Sequence, residues 1–121
     1  MSGRILVVED TEDNRRIVRD LLSAAGYELL EAETGEIGVA MAKSHRPDLI
    51  LMDIQLPVLD GYEASRRIKA DPALHDIPII AVTSYALSGD EDKARAAGCD
   101  GYVAKPFSPR QLLLKIREFL A

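Results

Sequence analysis

The segment 48–57 constrains the fold of this chain more than any other stretch. Four consecutive apolar residues, 49–52, lead directly into a carboxylate, Asp53. An unbroken apolar run of this length is typical of a parallel strand buried on both faces, rather than of a strand with one face in water. A carboxylate at the end of such a strand costs free energy unless a partner compensates its charge. The segment therefore predicts a central strand whose terminal acid finds its partners at other strand ends.

Apolar runs and amphipathic segments alternate along the whole chain. The predicted strands cover residues 5–8, 27–32, 49–52, 79–82 and 101–104. The predicted helices cover residues 13–25, 34–46 and 60–71, a segment that begins near 88, and 109–120. This alternation predicts an α/β fold in which helices cover both faces of a parallel sheet through right-handed crossovers.

Local signals place the helix starts and the helix faces. Thr34, Asp60, Ser88 and Ser108 precede predicted helices as caps, and the last three are followed at the third position by Glu or Gln. Helical spacing then predicts which apolar side chains face the core. These are Ile17, Val18, Leu21, Leu22 and Ala25 in the first helix, Ile37, Ala40 and Met41 in the second, and Leu112, Ile116, Phe119 and Leu120 in the last, with Leu114 exposed.

Composition narrows the class of protein. The 121 residues are 47% hydrophobic, which suffices for one domain with its own core. A net charge of −5 with dispersed basic residues argues against nucleic-acid binding. A single cysteine fits a reducing compartment, and no apolar run reaches membrane length. We therefore expect a cytoplasmic protein that binds neither nucleic acid nor membrane.

Polar residues follow four of the predicted strands. They are Glu9, Asp10, Asp53, Thr83 and Lys105. Taken singly, each is also a common cap or surface residue, but parallel strands bring their carboxyl ends to one edge, where sites in such sheets lie. Three carboxylates gathered there repel one another unless a cation lies among them, and oxygen ligands favour Mg²⁺. A phosphoryl group at this edge would be neutralised by the metal and Lys105 and hydrogen-bonded by Thr83.

These residues resemble the motifs of receiver domains in bacterial two-component response regulators. The matching segments are 8–10, 51–57 with Asp60-Gly61, 81–83, and Lys105-Pro106. The resemblance covers essentially the whole chain, so we expect one receiver domain over residues 1–121. It implies a flavodoxin-like doubly wound (βα)₅ fold with strand order 2-1-3-4-5. The sequence of residues 53–57 is similar to that of single-domain regulators of the DivK type, and receivers of hybrid histidine kinases share much of this sequence.

The resemblance also implies a role for each residue. Asp53 would be the phosphoacceptor, and Glu9, Asp10, Asp53 and the backbone carbonyl of Gln55 would bind Mg²⁺. Lys105 would bind the phosphoryl group ahead of a cis Pro106, Thr83 would be the switch hydroxyl, and Tyr102 the aromatic that rotates with it. Gln55 and Tyr85, each two residues beyond Asp53 or Thr83, would flank the phosphoryl group and tune its lifetime.

The family also implies the partners. The donor would be a histidine kinase or a histidine phosphotransferase. The downstream protein target would bind the last two helices and the fifth strand. The chain would be a monomer that is not an enzyme beyond Mg²⁺-dependent self-phosphorylation and autodephosphorylation, with dimerisation on phosphorylation left open.

Three alternatives fit part of the pattern. The chain could be the receiver portion of a hybrid histidine kinase. A phosphatase of the haloacid-dehalogenase type also uses an Asp nucleophile with Mg²⁺, but it needs an acid two residues later, where this chain has Gln55. A flavodoxin-like flavin carrier needs a phosphate loop rich in Ser, Thr and Gly after the first strand, whereas residues 10–13 include three acids that repel phosphate.

Overall fold

Five strands and five helices alternate in the computed structural model, which describes residues 3–83 and 90–120. The strands are β1 (Arg4–Val8), β2 (Glu28–Ala32), β3 (Leu49–Asp53), β4 (Ile79–Thr83) and β5 (Gly101–Ala104). The helices are α1 (Glu12–Ala24), α2 (Gly35–His45), α3 (Gly61–Ala70), α4 (Asp90–Ala96) and α5 (Pro109–Arg117). The predicted Ser88 cap of α4 lies outside the described residues.

The strands form one parallel sheet in the order β2-β1-β3-β4-β5. The predicted strand order is therefore confirmed. All five residues of β3 are buried, as the unbroken apolar run predicted. The carboxyl end of β3, with Asp53, lies between the ends of β1 and β4.

Successive residues of each strand point to opposite faces of the sheet and enter two separate cores. Ile50 and Met52 pack on the side of α2, α3 and α4. Leu49 and Leu51 pack on the side of α1 and α5. The long apolar run of β3 is thus required because both faces of the strand are covered by helices.

Helix α2 presents a different face to the sheet from the one predicted. Ile37 is 45% exposed and Ala40 is exposed, while Gly35 and Gly38 are buried. A Cβ on Gly38 would lie 2.8 Å from Val8 Cγ2, so the helix reaches the sheet through its small residues. The prediction that Ile37 and Ala40 face the core is wrong, because a helix that approaches this closely has no room there for larger side chains.

Helix α1 differs from prediction at one position. Leu22 is buried, and Val18, Leu21 and Ala25 pack against the same core. Ile17, however, is 61% exposed. It lies about 100° around the helix from Val18, at the edge of the apolar face rather than within it. Leu114 of α5 is 51% exposed, as predicted.

Three predicted helix caps are confirmed. Thr34, Asp60 and Ser108 accept hydrogen bonds from the backbone N–H groups of Ile37, Glu63 and Gln111. After Asp60, Gly61 brings α3 so close to β3 that a Cβ on it would lie 2.2 Å from the carbonyl oxygen of Asp53. The short 54–60 connection therefore starts α3 directly beneath the end of the central strand.

Among residues 3–83 and 90–120, the helices are all too short or too polar to span a lipid bilayer.

Candidate functional site

The predicted site residues meet at one edge of the sheet. Glu9 follows β1, Asp53 ends β3, Thr83 ends β4 and Lys105 follows β5. Glu9 and Asp53 are each only 5% exposed, and Thr83 is fully buried. Asp10 is exposed, so the group is open to solvent on that side.

Three carboxylates are gathered closely enough to share a cation. One oxygen from each of Glu9, Asp10 and Asp53 lies within 4.8 Å of the other two. Carboxylate oxygens at this separation are the hard ligands that Mg²⁺ takes in proteins, with water completing its shell. The open side at Asp10 leaves access for that water and for a phosphate oxygen. The donor set therefore fits Mg²⁺.

Lys105 lies beside the acids and is closer to Glu9 than to Asp53. Its Nζ donates a hydrogen bond to Glu9 Oε1 at 2.8 Å, and it is 3.9 Å from Asp53 Oδ2. The second oxygen of Glu9 accepts a hydrogen bond of 3.3 Å from the Thr11 N–H. The peptide bond between Lys105 and Pro106 is cis, as the resemblance implied. The ammonium group thus partly compensates the acids when no metal is bound.

Burial and mutual contact separate the pKa values of the acids. Burial raises the pKa of Asp53 to about 7, and the hydrogen bond and negative charge of Glu9 act in the same direction. For Glu9, burial opposes ionisation, but hydrogen bonds with Asp53 and Lys105 outweigh it and lower the pKa to about 2. Asp10 is exposed as a residue, but partial desolvation of its carboxyl, together with the hydrogen bond and negative charge of Glu9, also raises its pKa. Without a cation, Glu9 stays ionised beside Lys105 while Asp53 takes up a proton near neutral pH.

Gln55 links the acid of β3 to the hydroxyl of β4, a contact that the sequence did not predict. Its backbone N–H donates to Asp53 Oδ1 at 3.1 Å. Its side-chain Nε2 donates to Thr83 Oγ1 at 2.6 Å. The side chain of Gln55 therefore contacts the hydroxyl of Thr83. Tyr85, its predicted counterpart in controlling the phosphoryl lifetime, lies outside the described residues.

Tyr102 of β5 is half-buried and packs against the core on the side of α2, α3 and α4. It also lines a hollow of about 150 Å³ between α4, β5 and α5, together with Arg95 and Lys115. Tyr102 therefore borders this surface hollow and belongs to β5, the strand that pairs with β4 and its terminal Thr83.

A groove of about 440 Å³ opens beside the acids, between α1 and the β5–α5 connection. Glu9, Asp53 and Lys105 form part of its lining. The remaining lining is mostly apolar and includes Ile17, Val18, Pro106 and Phe107. Exposed Ile17, which the sequence assigned to the core, is a wall of this groove. The one signal for this groove in the sequence was that Ile17 lies at the edge of the apolar face of its helix.

Nothing in the sequence indicated that Arg15 belongs near the site. Arg15 is nevertheless only 6% exposed, and its side chain donates a hydrogen bond to the backbone carbonyl of Glu9. Its position one turn into α1 and Glu12 three residues before it are visible in the sequence. Those features alone describe a surface ion pair, and only the fold brings Arg15 against β1.

The fold and this group of residues define a class of protein. The chain belongs to the response regulator receiver domain family, whose sequence model matches residues 5–117. Its function is therefore that of a phosphoacceptor signalling domain of two-component systems, as the sequence predicted.

Among individual proteins, the chain is 43% identical to the polar-differentiation response regulator DivK of Brucella anthropi, over 99% of this chain and 98% of that protein. The receiver domain of a sensor histidine kinase from Pseudomonas aeruginosa PAO1 is 39% identical, with a TM-score of 0.91 and 98% of each chain covered. That structure has a magnesium ion coordinated in its active-site cleft. The chemotaxis protein CheY4 of Vibrio cholerae is 29% identical, with a TM-score of 0.93 and coverage of 99% and 100%.

Proposed function

We propose that Asp53 accepts a phosphoryl group from a phosphohistidine on a partner protein. The observation that carries this proposal is the gathering of Glu9, Asp10 and Asp53 within 4.8 Å, with Lys105 beside them, at the carboxyl edge of the sheet. Of the three acids, Asp53 is the one that ends the central strand; its Oδ1 accepts a hydrogen bond from the Gln55 N–H, and its Oδ2 lies 3.9 Å from Lys105 Nζ.

We propose that Glu9, Asp10, Asp53 and the backbone carbonyl of Gln55 hold Mg²⁺. When bound, the ion supplies positive charge that keeps the acids ionised and neutralises phosphoryl oxygens. The similar sensor-kinase receiver with magnesium in its cleft supports this assignment. So does the raised pKa of Asp53, since a carboxyl that is protonated near neutral pH needs a cation to become a nucleophile.

In the transfer, an oxygen of Asp53 attacks the phosphorus and forms a P–O bond. The P–N bond to the donor imidazole breaks, and the nitrogen keeps the electron pair. Lys105 moves from Glu9 toward a phosphoryl oxygen, and Thr83 donates its hydroxyl hydrogen to another. The residues of the chain act by holding and neutralising the group, so the protein is a phosphoacceptor that phosphorylates and dephosphorylates itself, rather than an enzyme for other substrates.

The phosphoryl group adds most of two negative charges. This charge draws the Thr83 hydroxyl inward and changes the contact between Thr83 and Gln55. Tyr102 then turns into the space vacated beside β4. Helix α4 is held by buried alanines such as Ala94, which offer little area to resist a shift. The downstream target would therefore bind the surface of α4, β5 and α5, where Leu114 is exposed.

The phosphodonor would bind on the opposite side of the site. Ile17, which is 61% exposed, lines the groove beside the acids. The apolar lining of this groove extends to Asp53 and Lys105. A donor helix that lays an apolar face on Ile17 and Phe107 would bring its phosphohistidine to Asp53. We assign this role to a histidine kinase or histidine phosphotransferase in the cytoplasm, and treat residues 1–121 as one receiver domain.

The acceptor is tested by incubation with acetyl phosphate or phosphoramidate and Mg²⁺, followed by intact mass measurement. The wild type should gain one phosphoryl group of about 80 Da, and Asp53→Asn should gain none. Asp60→Asn is the matched control, because this exposed cap of α3 keeps a capping side chain. Uptake by Asp53→Asn at the wild-type rate would contradict the assignment.

Replacing Lys105 tests how the acids are compensated. Lys105→Met should destabilise the metal-free protein by about 1–3 kcal/mol, because it leaves buried Glu9 without its cationic partner. The same variant should bind Mg²⁺ more tightly, because the ammonium no longer repels the ion. Urea unfolding in EDTA and calorimetric Mg²⁺ titration measure the two effects. Lys43→Met on exposed α2 is the control, and unchanged stability together with weaker Mg²⁺ binding would contradict this account.

A further inference from the structure

A buried arginine holds the backbone that carries the two acids following β1. Arg15 of α1 is 6% exposed, and its Nη1 donates a 2.7 Å hydrogen bond to the carbonyl oxygen of Glu9. The last ladder pair between β1 and β2 joins Val8 to Ala32, and the Glu9 N–H donates to the Ala32 carbonyl. Among the described residues, no backbone N–H donates to the Glu9 carbonyl beyond that point, and Arg15 provides the hydrogen bond that this carbonyl of a buried residue needs.

The other contacts of Arg15 fix the guanidinium in place. Nη2 donates to Glu12 Oε2 at 2.6 Å in the first turn of α1. Nε lies 3.4 Å from Glu31 Oε1, and Nη2 lies 3.6 Å from Glu33 Oε1. The side chain therefore joins the ends of β1 and β2 to the start of α1. The planar guanidinium makes these contacts from three separate nitrogens, whereas an ammonium would have to make them from one nitrogen at a single position.

We infer that Arg15 is a positioning residue for the metal site. The carbonyl of Glu9 and the N–H of Asp10 belong to one planar peptide unit, so the hydrogen bond from Arg15 sets the direction from which Asp10 leaves the strand. It thereby sets where the Asp10 carboxylate lies relative to Glu9 and Asp53. Groups that orient metal ligands in this way contribute to metal affinity although they do not touch the ion.

Charge alone predicts the opposite effect. A guanidinium near a cation site repels the ion, so removing its charge would tighten Mg²⁺ binding. The carboxylates of Glu12, Glu31 and Glu33 lie around Arg15 and offset that charge. Because the two roles have opposite signs, the direction of the change in Mg²⁺ affinity distinguishes them.

Arg19 provides a matched control on the same helix. It contacts two of the three carboxylates that Arg15 contacts, Glu31 at 2.7 Å and Glu12 at 3.1 Å, but it is four residues further along α1, and its described hydrogen bonds do not include Glu9. Arg19→Met removes one positive charge and ion pairs with Glu12 and Glu31. It leaves the hydrogen bond from Arg15 to the Glu9 carbonyl in place.

The test is a Mg²⁺ titration of wild type, Arg15→Met, Arg15→Lys and Arg19→Met, followed by calorimetry and by the NMR shift of the Asp10 amide. Arg15→Met should weaken Mg²⁺ binding by about tenfold, whereas Arg19→Met should stay within about twofold of wild type. Arg15→Lys should also lose affinity, because lysine keeps the charge but its single nitrogen cannot occupy the separate positions from which Nη1 and Nη2 contact Glu9 and Glu12. A role in folding alone would lower stability in urea and leave the affinity of the folded protein unchanged.

Wild-type affinity in Arg15→Met, or tighter binding in both methionine variants, would overturn the inference. If Arg15→Met does not fold, Arg15→Lys decides by the same criterion. The inference rests on the proposed metal role of Glu9 and Asp10, and the two can fail separately. A wild type that binds no Mg²⁺ would contradict the proposed function, whereas a wild type that binds Mg²⁺ no better than the Arg15 variants would contradict this inference alone.

Discussion

Replacing Asp53 by asparagine should raise the stability of the metal-free protein above neutral pH by about 1–3 kcal/mol. Asp53 is 5% exposed, and burial together with contact from Glu9 raises its pKa to about 7. Ionising it therefore costs free energy in the folded state. The full shift would correspond to about 4 kcal/mol, but the same contact also lowers the pKa of Glu9, so part of the shift is offset within the pair.

The pH dependence follows from the direction of the shift. The folded state binds the Asp53 proton more tightly than the unfolded chain, whose carboxyl has its ordinary pKa of 3.8. At low pH the carboxyl is neutral in both states, and its stabilising contribution is fully present. That contribution is lost as pH rises from about 4 to about 7, so the advantage of Asp53→Asn should grow over this interval and then level off.

Urea unfolding of both proteins in EDTA across this pH range measures the effect, with Asp60→Asn as the exposed control. Addition of Mg²⁺ should reduce the advantage of Asp53→Asn, because the ion stabilises the ionised acids of the wild type. If Asp53→Asn were equal to or less stable than the wild type above neutral pH in EDTA, the account of a repelling acid group would be wrong.

Removing Asp10 should weaken Mg²⁺ binding by about tenfold or more, and by more than removal of Glu9. Both oxygens of Glu9 are already engaged, one with the Lys105 ammonium at 2.8 Å and the other with the Thr11 N–H at 3.3 Å. Asp10 is exposed at the open side of the group and can turn toward an arriving ion. We therefore expect the Asp10 carboxylate to contribute more to Mg²⁺ affinity than that of Glu9.

The measurement is a Mg²⁺ titration of wild type, Asp10→Ala and Glu9→Ala, followed by NMR shifts. Asp13→Ala is the control, because this exposed acid lies three residues after Asp10, in the first turn of α1, and pairs with Arg16 at 3.1 Å. Equal affinities of wild type and Asp10→Ala would count against the metal assignment. A larger loss in Glu9→Ala than in Asp10→Ala would reverse the order of the two ligands.

The parts of the fold that local chemistry determines were predictable. An apolar run without alternation indicated that β3 is buried on both faces, and the side chains of Thr34, Asp60 and Ser108 marked the starts of α2, α3 and α5. Strand ends in a parallel sheet converge, so the meeting of Glu9, Asp53, Thr83 and Lys105 followed from the strand assignments.

Close packing was not predictable in the same way. Gly35 and Gly38 bring α2 against Leu59 and Val8, and a small residue in a sequence carries no hydrophobic signal that it will be buried. Ile37 carries that signal and is exposed. Which face of α2 meets the sheet depends on how closely the two surfaces fit, and this is a property of the assembled fold.

The choice of side-chain partners was also beyond the sequence. Lys105 could reach Glu9 or Asp53 and takes Glu9, at 2.8 Å against 3.9 Å. Gln55 was assigned only a backbone ligand and a place beside the phosphoryl group, yet its amide bonds Thr83. Arg15 is sixth in sequence after Glu9 and lies against its carbonyl only because α1 packs back on β1. Such choices depend on differences of about one ångström in the distances from a donor to its competing acceptors.

If Asp53 is the phosphoacceptor, the phosphoryl group forms an acyl phosphate on its side chain, and the modified residue can be located by mass spectrometry. The protein is phosphorylated with acetyl phosphate in Mg²⁺, reduced with sodium borohydride, which converts an aspartyl phosphate to homoserine, and sequenced by tandem mass spectrometry. Homoserine is expected at position 53 and at no other aspartate. Homoserine at position 10 or 5-hydroxynorvaline at position 9, with Asp53 intact, or phosphate retained on Thr83, would contradict the assignment of Asp53 as phosphoacceptor.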